Sequence, residues 1–260
     1  MGGELSITTW NVNSIRARLD HVTEYLAEHE PDIVCLQESK VEDALFPKVP
    51  FLELGYHVTI HGGRALAGVA TLTKSKPEET NSGFLADPPD KHPRILNVLV
   101  DGVRVYNLYV PNGTSLGSAA FEYKLAWLER LREEIASNYS PDQAIAVVGD
   151  FNIALEDRDL YDPERLRDQM LFTEDEKSRL RALLDFGFTD CFRKFESGGD
   201  HFTWFDYRTQ GFERNQGFRI DHIYATDSLA QRCLGVTHDM VPRGWDTPSD
   251  HVPVTGRFTR

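Results

Sequence analysis

The chain has 260 residues, of which 40% are hydrophobic and 27% charged. This composition excludes an intrinsically disordered chain, and the length suits one large sheet-based domain, so we expect a single domain over residues 1–260. Lys and Arg number 28 against 41 Asp and Glu, a net charge of −13, which argues weakly against a polyanionic partner unless the basic residues gather on one face.

Cysteine usage and hydropathy bear on the compartment. Cys35, Cys191 and Cys233 stand at no metal-like spacing, a pattern that suits buried thiols in a reducing cytoplasm. No apolar run approaches the roughly 20 residues that a membrane helix needs, and the N-terminus lacks the apolar region of a signal peptide. We therefore expect a cytoplasmic protein without membrane association, and a monomer.

Short apolar, β-branched runs bounded by polar residues, Gly or Pro recur along the chain and predict strands. In chain order they are Leu5–Trp10, Asp32–Gln37, His57–His61, Gly68–Thr73, Ile95–Val100, Val103–Val110, Ala144–Gly149, Arg219–Ala225, Leu234–Met240 and Val252–Phe258.

Helical spacing of apolar residues marks the segments between some of these strands. One stripe comprises Ile15, Leu19, Val22 and Leu26, a second comprises Phe121, Leu125, Leu128 and Ile135, and a third helix is predicted over Glu174–Phe186. The charged segment Asp157–Gln169 has weak periodicity and predicts a long loop or a short helix.

The connections between strands indicate the fold class. Asp101-Gly102 joins two predicted strands and is a hairpin signal, whereas other strands are separated by whole helices. The combination predicts an α/β fold, a four-layer sandwich of two packed mixed β-sheets flanked by helices.

Polar side chains stand at the ends of several predicted strands, where a buried strand holds a side chain rigidly while its tip faces a cleft. Singly, such residues are more often turns, caps or surface features, and it is their joint occurrence that favours a site. They are the carboxylates Glu38, Asp150, Asp221 and Asp250, the carboxamides Asn11, Asn112 and Asn152, the phenol Tyr109 and the imidazole His251.

The chemistry of this set favours phosphoryl transfer. Hard oxygen ligands suit Mg²⁺ or Mn²⁺, whereas zinc prefers more His or Cys. A divalent ion held by carboxylates neutralises a phosphate oxygen, and the chain contains no Gly-rich phosphate loop with its Lys, which argues against an ATPase or kinase.

Taken together, the motifs resemble those of the exonuclease III branch of the endonuclease/exonuclease/phosphatase superfamily, over nearly the whole chain. The segments that carry the resemblance are Ile7-Thr8-Thr9-Trp10-Asn11-Val12-Asn13-Ser14, Leu36-Gln37-Glu38-Ser39-Lys40, Gly149-Asp150-Phe151-Asn152-Ile153-Ala154, Phe202-Thr203-Trp204-Phe205-Asp206-Tyr207-Arg208, Gly217-Phe218-Arg219-Ile220-Asp221-His222 and Pro248-Ser249-Asp250-His251-Val252-Pro253-Val254.

The resemblance implies a metal and catalytic site. Asn11, Glu38 and Asp250 would surround the Mg²⁺ or Mn²⁺ ion. Asp150 would position or deprotonate the attacking water, with Asn152 orienting it. His251, oriented by Asp221, would bind the scissile phosphate, and Tyr109 and Asn112 would contact the same phosphate. The implied metal site as a whole comprises Asn11, Glu38, Asp150, Asn152, Asp250 and His251.

The resemblance also implies how DNA is bound. Trp204 and Phe218 would line a pocket for a flipped-out abasic sugar, although either could be an ordinary core aromatic. Basic residues near the motifs are candidate contacts to backbone phosphates, and each could equally be a solvated surface charge. They are Arg16, Arg18, Lys40, Arg208 and Arg214.

The implied function is hydrolysis of double-stranded DNA 5′ to abasic sites and removal of nucleotides or blocking groups from 3′ ends. One departure from the family pattern, Arg64-Ala65-Leu66-Ala67 before Gly68-Val69-Ala70, bears on DNA affinity or substrate preference. Two alternatives stay open: a phosphatase or phosphodiesterase of the superfamily acting on another substrate, and a DNA-binding module that has lost catalysis.

Overall fold

The computed structural model describes residues 3–63, 67–86 and 88–260. In chain order, its helices and strands are β1 (Glu4–Asn11), α1 (Leu19–His29), β2 (Ile33–Gln37), α2 (Lys48–Glu53), β3 (His57–His61), β4 (Val69–Thr73), β5 (Glu79–Ser82), β6 (Ile95–Val100), β7 (Val103–Tyr109), α3 (Ala119–Asn138), β8 (Ile145–Asp150), α4 (Pro163–Leu166), α5 (Glu174–Leu184), β9 (Phe188–Asp190), β10 (Asp221–Thr226), α6 (Asp227–Ala230), β11 (Cys233–His238) and β12 (Val254–Thr259).

The strands form two six-stranded sheets, with the spatial orders β11-β12-β1-β2-β4-β3 and β5-β6-β7-β8-β10-β9. Each sheet is mixed, because β1 and β2 run parallel in the first and β7 and β8 run parallel in the second, while the other pairs are antiparallel. The predicted hairpin joins β6 and β7, and Asp101 and Gly102 both have positive φ, 50° and 72°. This is the conformation of a type I′ turn.

Alternation along the strands produces the layers, because successive side chains of a strand point to opposite faces. On β8, Ala146 and Val148 face the core between the two sheets, where they meet residues of the first sheet such as Ile7. Ile145 and Val147 face the other way, against α3 and α5. Helix α1 covers the outer face of the first sheet. The predicted four-layer α/β sandwich is confirmed.

Several local predictions differ from the structure. Helix α1 begins at Leu19, so Ile15 is buried in the turn that precedes it. On α3, Leu128 and Ile135 are fully buried as predicted, but Lys124 is fully buried as well, while Leu125 is only half-buried. Short elements lacked a periodic signal and were missed: α2, β5, β9 and α6. The segment predicted as a loop or short helix contains the four-residue helix α4.

Capping residues fix where the two long outer helices of the second sheet begin. The Ser118 hydroxyl accepts a hydrogen bond from the Phe121 amide at the start of α3. At the start of α5, Thr173 and Glu176 form a reciprocal capping box, which satisfies backbone donors that the helix itself leaves unpaired. None of the helices in the described part of the chain combines the length and the apolar character of a membrane span.

Candidate active site

The topology brings the predicted polar side chains to one edge of the sandwich. Because β1 and β2 are parallel, Asn11 at the end of β1 lies beside Glu38, which directly follows β2. In the second sheet, parallel β7 and β8 end at Tyr109 and Asp150. Asp221 begins β10 rather than ending it, but β10 is antiparallel to β8, so Asp221 pairs with Asp150 at the same edge.

Asn11 links two of the carboxylates. Its Nδ2 donates to Glu38 Oε1 at 3.0 Å and to Asp150 Oδ2 at 2.9 Å. Asn11 is fully buried, and its Oδ1 accepts from the Asn13 amide at 3.0 Å. Burial, above all, raises the pKa of Asp150 to about 7, and the neighbouring charges of Asp221 and Glu38 act in the same direction.

Asp250 is held from two sides. Its Oδ2 accepts from the indole N–H of Trp204 at 2.9 Å, and its Oδ1 accepts from Asn13 Nδ2 at 3.0 Å. The hydroxyl of Ser249, which directly precedes Asp250 in the chain, donates to the Asn11 carbonyl at 2.6 Å. These bonds dock the segment before β12 onto the end of β1.

His251 and Asp221 form a buried pair. The ring Nδ1 lies 2.8 Å from Asp221 Oδ2, and Nε2 lies 3.8 Å from Asp150 Oδ2. Burial by itself lowers the pKa of His251, but the carboxylates of Asp221 and Asp150 outweigh it and raise the pKa to about 10. The imidazole therefore carries a proton at neutral pH, and its Nε2 presents an N–H donor.

Two carboxamides and a phenol complete the polar wall. Asn152 Nδ2 donates to Asp150 Oδ2 at 3.2 Å and to the Val110 carbonyl at 3.0 Å, and its Oδ1 accepts from Asn112 Nδ2 at 2.9 Å. Burial, reinforced by the nearby carboxylates Glu38 and Asp150, raises the pKa of Tyr109 well above its usual value. The phenol consequently stays protonated and can donate a hydrogen bond.

The backbone beneath these side chains is tightly constrained. Glu38 and Asn152 have left-handed φ values of 52° and 51°, a conformation that is uncommon for residues other than Gly. Gly149 precedes Asp150 with φ of 141°, and a Cβ there would lie 1.9 Å from the Leu108 carbonyl oxygen. Only glycine allows this close approach of β8 to β7.

Most of the polar side chains described above line a cavity of about 460 Å³. One side is polar, and the other is formed by Trp204 and Phe218, whose rings meet edge to face with centroids 5.4 Å apart. Leu166, Met170 and Leu171 extend the apolar wall. They were not predicted, because the irregular segment around α4 has no periodic pattern. The full lining is Glu38, Tyr109, Asn112, Asp150, Asn152, Leu166, Gln169, Met170, Leu171, Trp204, Arg208, Phe218, Ile220, Asp250 and His251.

The basic candidates have different surroundings. Lys40 pairs with Glu38 at 2.7 Å, beside the cavity. Arg208 is largely exposed at the cavity rim and pairs with Asp206 at 2.7 Å. The guanidinium of Arg18 donates to the backbone carbonyls of Asn13 and Pro248. Arg16 and Arg214 are exposed and do not line the cavity.

Two further polar groups of the site were not among the predicted residues. Asn13 binds Asp250 through its side chain and also accepts from Lys40 at 2.5 Å; its place two residues after Asn11 was the available signal. Lys124 donates to the Asn112 and Asn152 carbonyls from inside α3. The sequence signal for Lys124 was its position three residues after Phe121, which places both residues on the same buried face of the helix.

The donor set fits a hard divalent cation. The ligand atoms of Asp150, Asp221 and His251 lie within 4.8 Å of one another, but Asp221 is already engaged by the imidazole. Asp250, Glu38 and Asp150 offer carboxylate oxygens to the cavity, and clustered carboxylates are stabilised by a cation among them.

Arg64-Ala65-Leu66, most of the departure from the family pattern, lies outside the described residues.

Comparisons with known proteins show what the chain is similar to. A sequence model of the endonuclease/exonuclease/phosphatase family matches residues 8–251. Exodeoxyribonuclease III of Haemophilus influenzae is 34% identical over 98% of this chain and 100% of its own. Two solved structures each share 38% identity at a TM-score of 0.94 and cover 98% of this chain: an AP endonuclease from Archaeoglobus fulgidus, matched over 99% of its length, and a Neisseria 3′ phosphatase bound to a product DNA hairpin, matched over 100%.

Proposed function

The chain belongs to the endonuclease/exonuclease/phosphatase family, in its exonuclease III branch, and we propose that it is a Mg²⁺- or Mn²⁺-dependent DNA repair nuclease. Its substrates are duplexes with abasic sites, cut on the 5′ side, and 3′ ends, from which it removes nucleotides or blocking groups. The main support for this proposal is that Asp150 and the Asp221–His251 pair lie at a cavity with one carboxylate wall and one aromatic wall.

The metal would be held by Asn11, Glu38 and Asp250, with Asp150, Asn152 and His251 nearby as the remaining polar groups of the site. When bound, the cation supplies charge neutralisation at a nonbridging phosphate oxygen. The carboxylate oxygens of Glu38 and Asp250 at the cavity support this assignment. The Asn11 amide lies beside Glu38 and Asp150 and donates to both carboxylates.

The chain's own residues supply the other functions. Asp150 accepts the proton of the attacking water, which the Asn152 amide orients. His251 donates from Nε2 to the phosphate, because Asp221 holds the opposite ring nitrogen. Tyr109 and Asn112 donate to the same group. Stabilisation of developing negative charge by such preorganised donors is a large part of catalysis in water-poor sites.

Substrate choice follows from the shape of the cavity. The edge-to-face pair of Trp204 and Phe218 forms a small apolar wall that suits a baseless deoxyribose. Lys40, Arg208 and Arg16 contact backbone phosphates on either side, with Arg214 as a further candidate, while the Arg18 guanidinium is engaged with backbone carbonyls. The Haemophilus and Archaeoglobus proteins are named as enzymes of this class, which supports the proposal.

The protein works as one catalytic domain and as a monomer. It works in the cytoplasm, which the three buried free thiols support, since such thiols persist in a reducing compartment.

The test is cleavage of two end-labelled duplexes, one with a single abasic analogue and one with a recessed 3′ end, in Mg²⁺ and in EDTA. Asp150→Asn removes the base and is expected to slow cleavage by about 10²–10⁴-fold. Asp142→Asn, the same change in an exposed turn, serves as the control and is expected to match the wild type.

The outcomes separate the alternatives. A metal-dependent nick at the analogue supports abasic-site cleavage, and a ladder or loss of a 3′ phosphate supports end processing. Tight DNA binding without cleavage would point to a module that has lost catalysis, and neither binding nor cleavage to a phosphoesterase with a substrate other than DNA.

A further inference from the structure

Lys124 is a cation buried at the back of the active site. It lies in the second turn of α3 and has no solvent exposure. Its ammonium donates three hydrogen bonds: to the Asn152 carbonyl at 2.7 Å, to the Asn112 carbonyl at 3.3 Å, and to the carboxylate of Glu176. An ammonium has three protons, so its donor capacity is fully used.

Two of these acceptors are backbone atoms of residues whose side chains face the cavity. Asn112 and Asn152 belong to different segments, one after β7 and one after β8, and their side chains are hydrogen-bonded to each other at 2.9 Å. Lys124 therefore holds the main chains of both segments from behind while their amides face the substrate side. A shift of the ammonium would move both amides together.

Glu176, the ion-pair partner of Lys124, forms hydrogen bonds with a third segment. Glu176 Oε1 accepts from the Leu171 amide at 3.3 Å, and Oε2 accepts from the Thr173 amide at 3.0 Å and its hydroxyl at 2.8 Å. Leu171 and its neighbour Met170 line the cavity. Gly113, with φ of 94°, packs so closely that a Cβ there would lie 2.9 Å from Met170 Cε.

A buried ion pair is rarely retained for stability, because desolvating two charges costs about as much as their attraction returns. Three segments that line one cavity nevertheless meet at this pair, and each is irregular chain without a sheet partner at that point. We propose that Lys124 and Glu176 are positioning residues for the reaction: together they clamp residues 111–118, 151–156 and 167–173 in the geometry that catalysis requires.

This inference rests on the proposed nuclease function only for its kinetic consequence. The double variant Lys124→Met/Glu176→Gln removes both charges, keeps the volume, and retains an amide that can cap α5, so no unpaired charge is left buried. Arg132→Met/Glu129→Gln is the matched control, because it also removes both charges of an ion pair, here 2.5 Å apart and partly exposed on α3, away from the three segments.

For the clamp variant we expect a folded protein with kcat lowered about 100-fold, the size of effect that small displacements of catalytic groups produce, and with KM little changed. Amide hydrogen exchange should quicken by about tenfold or more in the three clamped segments and stay slow in the sheets. Lys124→Arg, which keeps the charge and the donors, should recover part of kcat. A purely stabilising pair predicts a lower Tm with unchanged kcat and exchange.

Wild-type protein provides a reading that needs neither a variant nor activity. In ¹⁵N NMR of the lysine ammonium groups, Lys124 should give a slowly exchanging resonance with couplings to the Asn112 and Asn152 carbonyls. The clamp is overturned if the Lys124 ammonium exchanges as fast as that of the exposed Lys91, or if the clamp and control variants show equal exchange in the three segments. If the wild type cleaves no DNA, the proposed function falls, and the exchange and NMR results alone decide the clamp.

Discussion

The hydrogen bond from the Trp204 indole to Asp250 gives a prediction that separates two roles of one side chain. Trp204 lines the cavity with its ring and donates to Asp250 Oδ2 at 2.9 Å. Trp204→Phe keeps an aromatic wall and deletes the donor. If Asp250 is a metal ligand, losing a bond that orients its carboxylate should weaken the metal site rather than the apolar pocket.

The size of the effect follows from the contacts of Asp250. Its carboxylate accepts two side-chain bonds, from Trp204 and from Asn13, and the variant leaves one. A hydrogen bond to a charged group contributes about 1.5–3 kcal/mol. Because this pair is only partly buried, we take the lower part of that range, which corresponds to a loss of about 10- to 30-fold in metal affinity.

The assay is cleavage of the recessed duplex over a range of Mg²⁺ concentrations, combined with Mn²⁺ binding to the DNA-free protein by electron paramagnetic resonance. Trp204→Phe should raise both the half-saturating Mg²⁺ concentration and the Mn²⁺ dissociation constant, while cleavage at saturating metal recovers. Trp245→Phe is the control, since Trp245 packs against His21 with ring centroids 5.1 Å apart. Unchanged metal dependence in Trp204→Phe would refute the reasoning and leave the indole as a pocket wall.

Two further predictions concern stability. Gly149→Ala should prevent folding or destabilise the protein by more than about 4 kcal/mol, because its Cβ would lie 1.9 Å from the Leu108 carbonyl oxygen. Expression level and urea unfolding measure the loss of stability. Near-wild-type stability would mean that β7 and β8 can separate at this point. Burial, aided by the Arg219 charge, lowers the pKa of His222 to about 4. The unfolded chain therefore binds this proton at a higher pH than the folded protein does, and the free energy of unfolding should fall by up to about 3 kcal/mol as the pH drops from about 6.5 towards 4. Urea midpoints measured at pH 7 and pH 5 should differ less in His222→Gln than in the wild type. Equal pH slopes in the two proteins would exclude the assignment.

Much of the architecture could be predicted from local patterns. Strands such as His57–His61 and Ile95–Val100 have the predicted bounds, because strands are short runs rich in β-branched and apolar residues with clear punctuation. The hairpin at Asp101-Gly102 was equally local, since both residues tolerate positive φ. The short elements β5 and β9 carry no such pattern. They exist because neighbouring strands offer hydrogen-bonding edges, which are properties of the assembled sheet.

For the candidate site, the available chemical groups could be predicted from the chain alone: the carboxylates, carboxamides, phenol and imidazole all stand beside strand termini that hydrophobic patterning locates. How these groups meet depends on the packing of the two sheets. Asp221 reaches His251 because β10 is antiparallel to β8, and Lys124 supports Asn112 and Asn152 because α3 packs behind both segments. These contacts join residues 12 to 40 positions apart in the chain, and local spacing carries no information about which residues the packed sheets bring together.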